Sequence, residues 1–169
     1  ADADKSGGLF HELGVHYIDL LSFVMDAAPE WVSAAGGSKA TGRDLDYASA
    51  VFGFAGGAVA RLGLCLFAAG GGDDIPVEVI GTGGRLLGEI TGGSLTLIPR
   101  DGEPQDHSPK RTDDTIHGFP GSLESLASFV ECVETGARPL ADAAVGELMC
   151  RACEAARRSV AAGGEKVPI

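Results

Sequence analysis

The chain has 169 residues, of which 44% are hydrophobic and 22% are charged, as in an ordinary globular domain with a buried core. This balance excludes a disordered segment and a coiled coil. The formal net charge of −11 would repel nucleic acid and anionic lipid, and no apolar run reaches the roughly 18 residues of a membrane span, so we expect neither as a partner.

The first predicted element is a helix over residues 9–26. Apolar side chains recur there at helical spacing on one broad face, and histidine and carboxylate side chains occupy the other. Ser6-Gly7-Gly8, directly before it, is a typical start signal. The pattern therefore predicts an amphipathic helix.

Short apolar runs separated by glycine pairs fill residues 30–99. Tyr47 to Phe54 and Ala58 to Phe67 flank Gly56-Gly57, which is typical of a hairpin. Such short turns favour antiparallel neighbours, because a parallel crossover needs a dozen or more residues. Further strands are predicted at 31–34, 77–80, 85–90 and 94–98.

Two more helices are predicted after a polar loop over 100–120. They span about 122–135, with Ser122 as the cap, and about 142–162, with Asp142 as the cap. Strands and helices are thus segregated along the chain. This order predicts an α+β fold, an open and mostly antiparallel sheet with helices on one face, in a single domain over 1–169.

A possible proton-transfer group lies on the polar face of the first helix. Glu12 and His16 are four residues apart, and Asp19 follows three residues later on the same side. Carboxylates beside an imidazole stabilise its charged form and fix its orientation, which suits a general acid/base acting on a substrate hydroxyl. The alternative from spacing alone is a solvated helix face with chance pairing.

No metal site is expected. His11 and His16 are five residues apart, whereas a zinc-protease helix places its histidines four apart on one face. Cys150 and Cys153 form a single close pair inside a helical pattern, with no second pair to complete a zinc site.

The remaining candidates are weaker. Gly81 to Gly84 has the glycines of a phosphate loop, but a strand follows it, so we predict a hairpin turn. Lys5, before the first helix, and His117, before the second, could reach a bound substrate. His107 lies in the polar loop, where we expect it to be solvated.

Three segments carry a resemblance to a known family through their order and spacing. They are Gly7-Gly8 with the acid–histidine–acid run that ends at Asp19, the hairpin from Val79 to Leu86, and the ending from Phe129 to Pro168. Together they cover nearly all of the chain, which resembles the C-terminal domain of the Gfo/Idh/MocA (glucose–fructose oxidoreductase / inositol dehydrogenase) family.

The resemblance implies the substrate side of a two-domain dehydrogenase that oxidises or reduces a sugar, inositol or related polyol with NAD or NADP. The cofactor would be bound mainly by an N-terminal Rossmann domain, which this chain lacks, so catalysis by this chain alone is not expected. The resemblance also implies a homo-oligomer formed through the open sheet face. We expect a cytoplasmic location.

By position, the resemblance makes His16 the catalytic histidine and places Glu12 at the family's catalytic aspartate. Asp19 matches the acidic residue three positions after the histidine. Glutamate in place of aspartate departs from the family pattern. Two alternatives stay open: a non-catalytic oligomerisation or ligand-binding module of the same fold, and a stand-alone hydrolase, which would need a metal at His11 or His16.

Overall fold

A computed structural model describes residues 6–40, 45–69, 75–90, 93–110 and 121–169. The chain divides into two compact units, unit 1 (Ala1–Phe67 with Leu140–Ile169) and unit 2 (Ala68–Pro139). The single domain expected over 1–169 stays a prediction. In chain order the elements are a π-helical turn (Phe10–Gly14), α1 (Val15–Met25), β1 (Pro29–Gly37), β2 (Tyr47–Phe54), a 3₁₀ turn (Ala55–Gly57), β3 (Val59–Cys65), β4 (Pro76–Gly81), β5 (Gly84–Glu89), β6 (Ser94–Pro99), β7 (Gln105–Asp106), α2 (Ser122–Thr135), α3 (Ala143–Ala161) and β8 (Val167–Pro168).

Unit 1 is a four-stranded antiparallel sheet, in the order β3-β2-β1-β8, with helices on one face. Side chains alternate between the two faces of a strand, so Ala60, Leu62 and Leu64 of β3 are buried while the residues between them are exposed. Val32 and Phe52, opposite each other on β1 and β2, are fully buried on the same face. This face, α1 and α3 enclose the core.

The first helix begins differently from a regular α-helix. The backbone N–H of Val15 donates to the carbonyl oxygen of Phe10, five residues back, which is the π-helical pattern. A regular helix then continues to Met25. The predicted extent of 9–26 is confirmed, but its opening turn is wider than that of a regular α-helix.

Helix α3 follows its sequence pattern closely. The Asp142 carboxylate accepts hydrogen bonds from the backbone N–H groups of Ala144 and Val145, both at 3.0 Å, so the predicted cap is confirmed. Ala152 and Ala156 are fully buried, as the predicted apolar stripe requires.

Unit 2 contains a second antiparallel sheet, in the order β4-β5-β6-β7, and helix α2. Helix α2 has the predicted bounds and ends at Gly136, whose φ of 72° is left-handed. Its N-cap is Gly121, so the prediction of Ser122 as the cap was wrong by one residue. None of the residues that the structure describes in unit 2 is buried.

The α+β class and the antiparallel pairing of the strands are confirmed. The described strands form two sheets of four rather than one continuous sheet. Within the described ranges, no helix has the length and apolar character needed to cross a membrane.

Candidate functional site

A glycine pair sets the entry into the first helix. Gly7 and Gly8 have φ angles of 79° and 77°, a left-handed region that side chains disfavour. A Cβ atom on Gly7 would also lie 2.8 Å from Cβ of His11, whose Nδ1 is 3.0 Å from the carbonyl oxygen of Gly7. Both positions therefore need glycine, and His11 folds back onto the turn that precedes it.

Glu12, His16 and Asp19 are on the helix as predicted. The side chains of Glu12 and His16 are exposed, and Asp19 is half-buried. The π turn accommodates an extra residue, so successive residues advance less around the axis there, and Glu12 lies more nearly in line with His16 than on a regular helix. An exposed imidazole with a carboxylate one turn before it is open to a ligand and to water.

The structure records no hydrogen bond or ion pair that joins Glu12, His16 and Asp19 within the described residues. The sequence placed them on one face, and the structure shows a shared helix and an accessible imidazole. Their catalytic roles stay a prediction.

His11 belongs to a different surface from His16. Its half-buried ring lines a surface pocket with charged residues of α3, including Glu147 and Glu154, so it remains among polar side chains as the sequence pattern predicted.

Close packing fixes the helix that carries the candidate group. A Cβ atom on Gly14 would lie 3.1 Å from Phe10 and 3.2 Å from Leu64 of β3, so glycine allows helix and strand to approach. The buried thiol of Cys153 donates to the carbonyl oxygen of Phe10 at 3.2 Å. Burial raises the pKa of Cys153 to about 12, so this thiol is an unreactive packing group.

The other predicted site residues have separate outcomes. Lys5 and His117 lie outside the described residues. His107 is exposed, with its Nε2 atom 3.3 Å from Oε1 of Gln105 in β7. Gly81 pairs with Gly84 at the end of the β4–β5 hairpin, which confirms the turn and excludes a phosphate loop there.

Among the described residues, no group of three or more histidine, cysteine or acidic side chains could hold a metal ion. The structure also shows two buried polar residues that sequence reasoning missed. Asp46 is fully buried and accepts hydrogen bonds from the backbone N–H groups of Lys39 and Ala40. Ser159 is fully buried between β1 and the end of α3.

A family model described as the oxidoreductase family, C-terminal alpha/beta domain (GFO_IDH_MocA_C) matches residues 1–169. The chain therefore belongs to the Gfo/Idh/MocA oxidoreductase family, as the resemblance predicted, and corresponds to its C-terminal domain. Among curated proteins, none matches the sequence.

Several solved structures share the fold. UDP-N-acetylglucosamine 3-dehydrogenase GnnA from Acidithiobacillus ferrooxidans aligns with a TM-score of 0.78 and 18% identity, over 91% of this chain and 47% of that one. The aldose-aldose oxidoreductase from Caulobacter crescentus, complexed with glycerol, gives a TM-score of 0.74 and 18% identity over 96% and 48%. WlbA dehydrogenase from Bordetella pertussis, in complex with NADH and UDP-GlcNAcA, gives 0.74 and 19% over 95% and 47%. The chain thus spans about half the length of the structures that it matches.

Proposed function

We propose that this chain forms the substrate side of an NAD(P)-dependent dehydrogenase that acts on a sugar, inositol or related polyol by hydride transfer. The observation that carries the proposal is the exposed His16 imidazole, one turn after the Glu12 carboxylate, on the first helix of a chain from an oxidoreductase family. Two of the matched structures are named for oxidoreductases of sugars, which supports this substrate class.

His16 moves the proton. A bound nicotinamide would supply the hydride acceptor for the substrate carbon. The imidazole of His16 takes the proton from the hydroxyl group on that carbon, so that a carbonyl forms, and returns the proton in the reverse direction. An imidazole suits this step because its ordinary pKa lies near neutral pH.

The other polar candidates are assigned supporting roles. Glu12 stabilises the protonated imidazole electrostatically, and Asp19, half-buried on the same helix, binds substrate. Lys5 and His117 are proposed as further contacts to substrate hydroxyl groups.

The cofactor, NAD or NADP, would be held mainly by an N-terminal nucleotide-binding domain. Within the described part of this chain, the one glycine-rich candidate loop closes a hairpin instead of opening a helix. Glu12, His16 and Asp19 on the first helix are acid/base groups, which suit proton transfer at a substrate. The matched structures are about twice as long as this chain, which is consistent with a second domain that binds the cofactor.

The open face of the unit 1 sheet is proposed as a homo-oligomer interface. Among the exposed residues of β1, β2 and β3, only Glu30, beside the irregularity in β1, and Arg61 are charged. Trp31 lies across Gly53 on this face, where a Cβ atom would be 1.9 Å from its ring, and Lys166 Nζ is 4.0 Å from the ring centroid. A flat sheet face with so little charge is suited to packing against a second subunit.

We also propose that the protein is located in the cytoplasm. The enzymatic proposal is tested on the protein at its full natural length. Binding of NAD and NADP is measured by calorimetry, and reduction of the bound cofactor is followed at 340 nm with sugars, inositols and linear polyols as substrates. We expect dinucleotide binding and turnover with at least one of these classes. Dinucleotide binding without turnover of any polyol would contradict the substrate class.

A non-catalytic module of the same fold is the second candidate. It is favoured by glutamate at the position where the family resemblance expects aspartate, and by the absence of a recorded Glu12–His16 hydrogen bond in the described residues. Full-length protein that binds no dinucleotide would establish this alternative.

A further inference from the structure

Four charged residues form a stripe along the outer face of α3. They are Glu147, Arg151, Glu154 and Arg158, so the sign of the charge alternates along the helix. Their separations of four, three and four residues keep them on one side of the helix. All four line one shallow surface pocket of about 460 Å³. We call this set the α3 stripe.

The α3 stripe is complementary to itself when the helix direction is reversed. When a second copy of α3 is related to the first by a two-fold rotation about an axis between Ala152 and Cys153, Glu147 of one copy lies opposite Arg158 of the other, and Arg151 lies opposite Glu154. Ala144 and Ala161, whose small side chains flank the stripe, lie opposite each other in the same way. A surface that maps onto its own complement by a two-fold rotation is what an isologous dimer contact requires.

The charges of the stripe are available to a partner. Among the residues that the structure describes, Glu147, Arg151 and Arg158 take part in no ion pair. The Glu154 carboxylate accepts two hydrogen bonds from Arg157, both at 2.8 Å, and Arg158 donates to the carbonyl oxygen of Pro168 at 3.5 Å, so both side chains would share these surface contacts with a partner. The inner face of α3 packs in the core, and among the described residues its outer face is exposed.

We propose that the α3 stripe binds a second copy of this chain, with the two α3 helices antiparallel about a two-fold axis between Ala152 and Cys153. Glu147 pairs with Arg158 of the second copy and Arg151 pairs with its Glu154, which gives four ion pairs in all. This contact lies on the opposite side of unit 1 from the open sheet face and does not depend on the proposed enzymatic activity.

The symmetry supplies a charge-swap test. In the Glu147→Arg variant, an arginine lies opposite an arginine at two places in the dimer. In the Arg158→Glu variant, a glutamate lies opposite a glutamate at the same two places. Each variant should therefore weaken the salt-sensitive association at least about tenfold. The double variant Glu147→Arg/Arg158→Glu restores opposite charges and should recover it. Glu103→Arg, at an exposed turn, makes the same change in charge off the stripe and should leave association unchanged.

Sedimentation velocity on the full-length protein at low and high salt gives the readout. Recovery in the double variant supports the stripe, because a partner other than a second copy would be repelled further by the second reversal. A loss of association that the double variant does not recover, an unchanged association in all variants, or a protein that stays monomeric would each overturn the proposal.

A cross-link reports the geometry even if the association is weak. Ala144→Cys/Ala161→Cys places a cysteine opposite its counterpart in the second copy, within disulfide reach. Within one helix the two positions are about 25 Å apart, so no intramolecular bridge can form, and each single variant lacks an opposing thiol. An interchain disulfide in the double variant only is expected. Equal cross-linking in the single variants, or none in the double variant, would contradict the antiparallel arrangement.

Discussion

Unit 1 and unit 2 are built from similar hairpins, yet among the described residues the buried core lies in unit 1. Strands β2 and β3 carry apolar residues at every second position, and helices cover that face, so Phe52 is fully buried and Leu64 nearly so. In the hairpins of unit 2, half-buried residues such as Leu97 have no buried neighbour among the described residues. Hairpin formation therefore depends on turn sequences, whereas the core depends on which strands a helix covers.

The sharpest contrast is expected from truncating one large side chain in each unit. Phe52→Ala removes a fully buried ring and should lower the free energy of unfolding by about 3–5 kcal/mol. Leu97→Ala, half-buried in β6, should cost about 1 kcal/mol or less. Urea denaturation followed by circular dichroism measures both. Equal losses would contradict the assignment of the core to unit 1.

A buried hydroxyl group should produce the next largest effect. Ser159 Oγ accepts a hydrogen bond from the backbone N–H of Ala34 at 2.8 Å and donates to the carbonyl oxygen of Glu165 at 2.6 Å. Ser159→Ala leaves both groups without this partner and should cost about 1–3 kcal/mol of unfolding free energy. Ser125→Ala, on the exposed α2 of unit 2, is the control and should change little. A Ser159 variant as stable as wild type would show that water replaces the hydroxyl group.

Comparison of the predicted elements with the structure shows which features of the fold the sequence could reveal. The hairpins, both later helices and the Asp142 cap were predictable, because glycine pairs, helical spacing and capping act between near neighbours. Ser159 was not, since its partner Ala34 is distant in sequence. The π turn also escaped prediction, because a wheel assumes a constant rotation per residue.

The two helix starts offer a smaller test. Asp142 caps α3 through its carboxylate, whereas α2 begins at Gly121 without a side-chain cap. Asp142→Ala should therefore lower stability by about 1 kcal/mol. Gly121→Ala loses no side-chain cap, and any cost should come only from its left-handed backbone, φ 78°. Thermal melts of the two variants measure this, and an unchanged melt for Asp142→Ala would mean that the cap adds nothing.

The smallest effect concerns pH. The hydrogen bonds from Arg157 hold the pKa of Glu154 below its ordinary value. The Glu154 carboxyl group has a lower pKa in the folded state than in the unfolded state. At pH values above the unfolded-state pKa its charged form therefore stabilises the fold, and this stabilisation is lost as the pH falls through the folded-state pKa. Because the pair is at the surface, Glu154→Gln should cost only a few tenths of a kcal/mol at pH 7 and nothing at pH 2–3. A cost that persists at low pH would assign the effect to packing instead.

The measurement that tests the central claim compares two histidines, one from each unit, in the full-length protein. His16→Asn should lower kcat for polyol oxidation about 10²–10⁴-fold and remove the pH dependence near neutrality, while dinucleotide binding stays unchanged. His107→Asn, in the exposed loop of unit 2, should keep wild-type kcat and pH profile. If His16→Asn turned over as fast as His107→Asn, with the same pH profile, His16 would not be the proton-transfer group.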